Sequence, residues 1–432
     1  MKKPLLKLTL LVVSTSAALL ISEITARAVL PELEVEYGWG IEEARLRSTS
    51  NAYQARLAGG RGRSQFRILL VGDSQVVNSG MSPEILPATI LETELTSLLP
   101  SNCGLSGERD RKSTDFVVLT LGEGGWGQDQ QLLALKALIG NIQPNLVLSW
   151  FTPENDLSNN AFPTHFPRNG TRKPTYILDS DGLRLSAKRD IVPLLADFRI
   201  LALAKGATDS VEMQLRKIVN ATPYVLSHFP FQLDPDDKWN LQVLPPVHAA
   251  PPSSEIEDTD YLSHYNPFIV EDSLDLEKSH FVIGMNPESP RINYMVRLTS
   301  ALIQEIQSQA KRAGSAYAAF YYSAERTNQP LYPPDGHYSA RGNGFQFSHD
   351  AMQERLLRIF EDVRHYEIPL LDNDWRQPDN DPHLNTGANR HVMTSLARQL
   401  MESGLVCSLL SSSIEPHDWS PFLREAPVGA RA

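Results

Sequence analysis

The chain has 432 residues, with 51 acidic side chains against 40 basic ones and a net charge of −11 at pH 7. That balance disfavours nucleic acid as a partner, because nucleic-acid binding calls for a basic face. About 400 residues follow the N-terminal apolar segment, enough for one large core with an insertion or for two modest domains.

The sequence opens Met1-Lys2-Lys3-Pro4 and runs largely apolar from Leu5 to Ile24, interrupted by Lys7 and Glu23. A basic start before a short apolar run reads as an export signal, with the N-terminus on the cytoplasmic side. Residues 1–29 are therefore expected to be a signal anchor in the inner membrane, with cleavage at Ala26-Arg27-Ala28 as the alternative. The remainder is expected on the periplasmic or extracellular side. Residues 30–64 are polar, contain Gly59-Gly60-Arg61-Gly62, and read as a membrane-proximal helix and linker. The main domain is expected over 65–410, and 411–432 form a C-terminal tail.

The domain begins with the apolar run Phe66 to Val71, which ends in Gly72-Asp73-Ser74. A buried strand that closes in a small polar turn and enters a helix presents a serine hydroxyl at the C-terminal edge of a sheet. Open α/β sheets place their chemistry at that edge. A helix is expected over Pro83–Leu99 and a strand over Asp115–Leu121, running into Gly122-Glu123-Gly124-Gly125-Trp126-Gly127. The next helix spans Gln130–Ile142 and the next strand Pro144–Phe151, which ends at Thr152-Pro153-Glu154-Asn155-Asp156. A glycine N–H and an asparagine amide at two successive strand ends are suited to stabilise charge developing on a carbonyl oxygen. Gly122-x-Gly124-x-x-Gly127 also fits a dinucleotide fingerprint. It stands alone, however, does not follow the first strand, and carries Trp126 where a pyrophosphate would sit.

The strand–helix rhythm breaks over 157–290, read as an insertion above the sheet edge. Asp179-Ser180-Asp181-Gly182 signals a β-hairpin within it. A helix is expected over Asp197–Val219 and an exposed loop over Pro245–Pro267. The alternation resumes with a helix over Asn293–Ala313, a strand over Ser315–Tyr322, a helix over His349–His365 and a strand over Ile368–Asp372. The loop Asp381-Pro382-His383 follows, then a helix over Ala388–Glu402. A histidine two residues after an aspartate suits the base and orienter of a serine-based triad; a helix-capping aspartate beside a solvated histidine is the plainer reading. Cys103 and Cys407 are the only cysteines. One disulfide joining the early and late parts of the fold, or two separate thiols, both fit the sequence.

In this order, the four blocks resemble the SGNH hydrolase superfamily, the GDSL-like esterases, and within it the exported or membrane-anchored bacterial branch. The matching residues are Gly72-Asp73-Ser74, Gly125 within Gly122–Gln130, Asn155-Asp156, and Asp381-Pro382-His383. The resemblance implies an α/β, flavodoxin-like three-layer sandwich with a central parallel sheet of five strands. It also implies Ser74 as nucleophile, His383 as base and Asp381 as orienter, with the Ser74 N–H, the Gly125 N–H and the Asn155 side chain as oxyanion donors. No cofactor and no metal is called for. The chain departs from the family pattern at Pro153-Glu154, where a glycine is common, and in having Asp381 and His383 two residues apart rather than three.

The expected activity is a serine-dependent esterase or deacylase whose substrate is an acylated carbohydrate or another small ester. Two alternatives use the same cleft: an O-acyltransferase, and a non-catalytic anchored factor that binds or assembles glycans. Glu154 favours the last, since a negative charge beside Asn155 opposes stabilisation of an oxyanion.

Overall fold

The computed structural model describes residues 51–58, 64–77, 85–103, 114–161, 164–165, 171–172, 176–185, 280–324, 331–340, 343–370, 375–377 and 381–412, with the isolated positions Ser14, Ala18, Ile21 and Ser22. The first half runs α1 (Asn51–Ala58), β1 (Ser64–Gly72), α2 (Ser74–Val77), α3 (Pro87–Asn102), β2 (Thr114–Gly122), α4 (Gln128–Ile142), β3 (Leu146–Trp150) and α5 (Asp156–Ala161). A hairpin of β4 (Tyr176–Asp179) and β5 (Gly182–Leu185) follows. The second half starts with β6 (Met285–Asn286), α6 (Pro290–Arg312), β7 (Ala316–Ser323), β8 (Gly336–Ala340) and β9 (Asn343–Phe347). It ends with α7 (His349–Ile359), β10 (His365–Pro369), β11 (Arg376–Gln377), β12 (Asp381–Leu384), α8 (Thr386–Glu402) and α9 (Leu405–Ser412).

Five strands form one parallel sheet in the order β10-β7-β3-β1-β2. Their sequences are nearly continuous apolar runs, and Ile68–Val71, Leu146–Leu148 and Ala318–Tyr322 are buried throughout. Strands covered by helices on both faces read this way, without alternation of polar and apolar residues. The strand order reverses at β1: the chain moves outward to β2, then crosses back to β3 on the other side. Right-handed crossovers consequently place α3 on one face and α4 on the other. Helix α8 joins α3, while α6 packs against α4 and α7. The reversal leaves a crevice at the C-terminal ends of β1 and β3, where sheets of this kind bind ligands.

Local chemistry sets the element boundaries. Pro87 opens α3 four residues later than the expected Pro83, since proline fits the first helical turn. Ser289, Ser348 and Asn385 each cap a helix with a side-chain oxygen that accepts a backbone N–H. Asn385, not Asp381, is therefore the cap of α8. Helix α7 stops at Ile359 rather than His365. Phe360 turns into the core there, stacking on Tyr321 and meeting Phe151 edge-on, which frees His365 to open β10 opposite Ala319. The strand expected over Ile368–Asp372 accordingly begins three residues earlier. Asp381-Pro382-His383 lies not in a loop but in β12, paired antiparallel with β11.

A helix within the 30–64 segment, Asn51–Ala58, packs on the domain. Arg56 pairs with Glu92, and Arg67 donates to the Leu57 carbonyl at 3.3 Å. Both ends of the 157–290 segment are also core. Leu157 and Ala161 are buried, as are Phe281, Val282, Ile283 and Met285. Arg355, itself buried, donates to the carbonyls of Val282, Ile283 and Met285, satisfying acceptors of the turn that leads into β6. The hairpin forms as expected, with Asp179 opposite Gly182, which takes φ 104°.

Residues 1–29 lie outside the described residues apart from the four isolated positions, as do 197–219 and 245–267. Among the described residues no helix is long and apolar enough to cross a membrane.

Cys103 and Cys407 form a disulfide that ties the end of α3 to α9 across 304 residues of chain. Closing so long a loop restricts the unfolded chain more than the folded one, by about 2–4 kcal/mol. Cys103→Ala is expected to lower the melting temperature, with reductant lowering the wild type by the same amount and leaving the variant unmoved.

Candidate active site

Three strand ends meet at the crevice, in the spatial order β3, β1, β2. Strand β1 delivers Gly72, Asp73 and Ser74. Gly72 and Gly122 stand opposite each other at the ends of β1 and β2, so closely that a Cβ on Gly122 would lie 2.6 Å from the Gly72 carbonyl oxygen. Only glycine permits that approach. It brings the β2 loop over the serine: a Cβ built on Gly124 would lie 4.0 Å from the Ser74 Cβ. Gly125 takes φ 73°, a left-handed conformation favouring glycine, and Trp126 after it is fully buried. Of the glycines that match a dinucleotide fingerprint, Gly122 is thus engaged in packing one strand end on another, and Gly127 packs on Asn159 and Asn160 of α5.

Asp73 is completely buried. Its Oδ1 accepts the Gln75 N–H at 2.9 Å, and its Oδ2 accepts Asn155 Nδ2 at 3.0 Å. The first bond shapes the turn that displays Ser74, and the second fixes the Asn155 amide across the crevice. A primary amide nitrogen carries two hydrogens, so Asn155 retains one donor beyond the bond to Asp73. Burial raises the Asp73 carboxyl above the usual range, while the bonds from Asn155 and Gln75 and the charge of nearby His383 pull it down.

His383 arrives on β12 and is partly exposed. The next residue, Leu384, donates its N–H to Gln75 Oε1 at 3.3 Å, which ties the histidine strand to the residue after Ser74. Of the residues singled out in the sequence, the fold brings Ser74, Gly125 and Asn155 to three adjacent strand ends and sets His383 beside them. Asp381 sits two residues before His383 on the same strand, and its side chain is outside the described residues.

The Glu154 carboxyl, beside Asn155 in sequence, is buried. It turns into the core, where Tyr322 of β7 donates to its Oε1 at 3.1 Å. Burial, with the Asp73 carboxylate adding to it, pushes Glu154 up to about 7. The charge that argued for a binding-only protein is therefore largely absent in mildly acidic solution. Asp156 is also raised well above its usual value by burial, with Asp73 and Glu154 nearby. Its Oδ2 accepts the Thr152 N–H at 2.8 Å and an N–H of Gln128. Gln128 in turn accepts from Asn160, which also donates to Thr299 Oγ1 at 2.9 Å.

These buried amides escaped the sequence reading. Gln128-Asp129-Gln130-Gln131 has the composition of a solvated first helical turn, yet all four residues are buried. Gln75 and Tyr322 were equally silent, being ordinary residues of a turn and a strand. The one local signal is Trp126, two residues before the polar run, an aromatic that needs cover.

No protein-family model matches the sequence, and no curated protein matches it. Among solved structures, the fold is similar to that of a protein from Agrobacterium tumefaciens str. C58 described as an arylesterase. That match has 10% identity and a TM-score of 0.31, covering 78% of this chain and 98% of the other. The psychrotrophic esterase EstA from Pseudoalteromonas sp. aligns at 13% identity with a TM-score of 0.29, covering 80% of this chain and 98% of its own. Likenesses of this size say nothing about the chemistry of this chain, which rests on the geometry of its own crevice.

Three buried carboxyls, Asp73, Glu154 and Asp156, are all raised in the folded state. The folded protein thus holds protons that the unfolded chain releases, and stability falls as pH rises through that interval. For Glu154 the interval runs from 4.5 to about 7, and the loss amounts to about 3 kcal/mol once the group is ionised. Glu154→Gln is expected to melt close to wild type at pH 5 and clearly above it at pH 8. Equal melting temperatures at pH 8 would show that the carboxyl is not strained by its burial.

Proposed function

We propose that this protein is a serine-dependent ester hydrolase. The carrying observation is that Ser74 stands at the topological switch point, at the end of the central strand β1. The ends of β2 and β3 supply Gly125 and Asn155 on either side, and the His383 strand is hydrogen-bonded to Gln75, the residue after the serine. In this reading His383 takes the Ser74 proton as the hydroxyl oxygen attacks an acyl carbonyl. The bond to the alcohol breaks as His383 returns the proton to the leaving oxygen. Water, activated by the same histidine, then releases the acyl group from Ser74. The Ser74 and Gly125 N–H groups and the remaining Asn155 N–H receive the charge on the carbonyl oxygen, and Asp381 orients the histidine.

The substrate in this reading is an acylated surface glycan. Supporting it are the acidic chain, the export-type N-terminus, the long polar insertion with Trp239, Tyr261 and Tyr265, and the lack of any apolar lid sequence beside the four blocks. The same features, with a disulfide that persists in oxidising surroundings, support an exported protein anchored at its N-terminus.

A fluorophosphonate probe is expected to label the wild-type protein and to label neither Ser74→Ala nor His383→Ala. Absence of labelling in folded wild type would overturn the hydrolase reading in favour of a binding role. On p-nitrophenyl esters, acetyl is expected to be cleaved at least tenfold faster than long-chain acyl groups. The reverse order would remove the glycan-deacylase assignment and leave a lipase.

A further inference from the structure

Ser74 and His383 sit on elements far apart in sequence, and catalysis of the kind proposed above depends on holding their spacing to within a fraction of an ångström. The described contacts show one continuous hydrogen-bonded strut that can do this. Leu384, next to His383, donates its N–H to Gln75 Oε1 at 3.3 Å. Gln75 Nε2 donates to the Tyr322 hydroxyl at 3.3 Å. Tyr322 donates to Glu154 Oε1 at 3.1 Å, and Glu154 directly precedes Asn155. All donors point the same way along the chain, from the histidine strand through the serine turn and β7 to the asparagine turn. Gln75, Tyr322 and Glu154 are all buried, so water does not substitute for a lost partner at low cost.

We propose that Gln75, Tyr322 and Glu154 form a positioning relay that locks the His383 strand and the Asn155 turn onto the Ser74 turn, and that loss of the Glu154 proton weakens the site. This rests on the ester-hydrolase reading for its catalytic half only. The three residues touch no reacting atom; they act through Ser74, His383 and Asn155. Tyr322 is held protonated by burial and by Glu154, so its hydroxyl stays a donor. The groups facing Glu154 are Asp73 from the end of β1, Asp156 from α5, Tyr322 from β7 and His280 from the segment before β6. Arg376 of β11 acts on Tyr322, and His383 acts on Asp73. With Glu154 neutral, the chain ends on a neutral acceptor. With Glu154 ionised, a buried negative charge adjoins Asp73 and the residue that offers the oxyanion its amide donor.

Full-length wild type, Tyr322→Phe and Glu154→Gln decide the matter by two separate readouts. The first is hydrogen exchange at the Leu384 amide, which needs no activity. Tyr322→Phe is expected to speed that exchange about tenfold while distant strands such as β2 keep their protection; unchanged exchange in a folded variant overturns the relay. The second is p-nitrophenyl acetate hydrolysis across pH. Tyr322→Phe is expected to lose at least tenfold in kcat with KM within twofold, whereas wild type declines above about pH 7 and Glu154→Gln abolishes that decline. A variant profile with the wild-type decline overturns the role of the Glu154 proton. If wild type neither hydrolyses the ester nor labels with fluorophosphonate, the hydrolase reading and the proton role that rests on it are both rejected. The Leu384 exchange still decides the structural relay.

Discussion

The site depends on one buried carboxyl. Asp73 sits where β1 ends and accepts hydrogen bonds from its own turn and from Asn155 at the end of β3. These two strands flank the crevice where the sheet reverses direction, so nothing in the sheet ladder holds their emerging loops together. Asp73 does so. A lost buried partner costs the desolvation of the group left behind, a larger loss than the net worth of the bond itself. The serine turn and the asparagine turn therefore move as one unit, and the glycine contact between β1 and β2 adds the third wall.

Fixing the strand ends this way crowds acidic groups. Asp73, Glu154 and Asp156 occupy one buried region; Asp73 raises the carboxyls of both others, and Glu154 raises that of Asp156. A core built for stability alone would place apolar side chains there, since replacing buried charge by packed hydrocarbon is often neutral or favourable. Here the polar groups are retained and two of them are met by amides: Gln128 donates to Asp156 and Asn155 to Asp73 without bringing in a positive charge, and Asn160 supports Gln128 from behind. Amide donors leave the carboxyls weakly acidic, whereas an arginine would have held them ionised. Arg355 shows that the fold can bury a guanidinium, and it places it against the backbone carbonyls of Ile283 and Met285.

Much of this was legible in the sequence. The five apolar runs and the helices between them sufficed for the sheet, because burial of a parallel strand leaves a local mark, and three of the four polar blocks fall at the strand ends where Ser74, Gly125 and Asn155 stand. What stayed hidden depends on partners distant in the chain. Glu154 was legible as a charge beside Asn155, but its direction is set by Tyr322, far away in sequence on β7. A polar helix start such as Gln128–Gln131 is normally wet, and here the arrival of α5 and Thr299 of α6 makes it interior. The disulfide was open in the sequence for the same reason, since distance between cysteines is a tertiary quantity. His383 was read in a loop, and β11, a strand of two residues, was too short to show a pattern of its own.

The placement of His383 on a short strand rather than a free loop changes how its position is determined. A loop histidine would be held by its own side-chain contacts, and any orienting carboxylate would carry most of that burden. On β12 the backbone is held on two sides, by pairing with β11 and by the Leu384 bond to Gln75, and Asn385 immediately caps α8. Helix α8 packs along α3, and α3 is tethered through Cys103 to α9. The histidine's coordinates are thus set by the layer of helices on one face of the sheet. Those of Asn155 are set through α5 and α6 on the other. The serine turn is the place where the two layers are brought into register, and a buried hydrogen-bonded strut across it is what a sheet open at that edge requires.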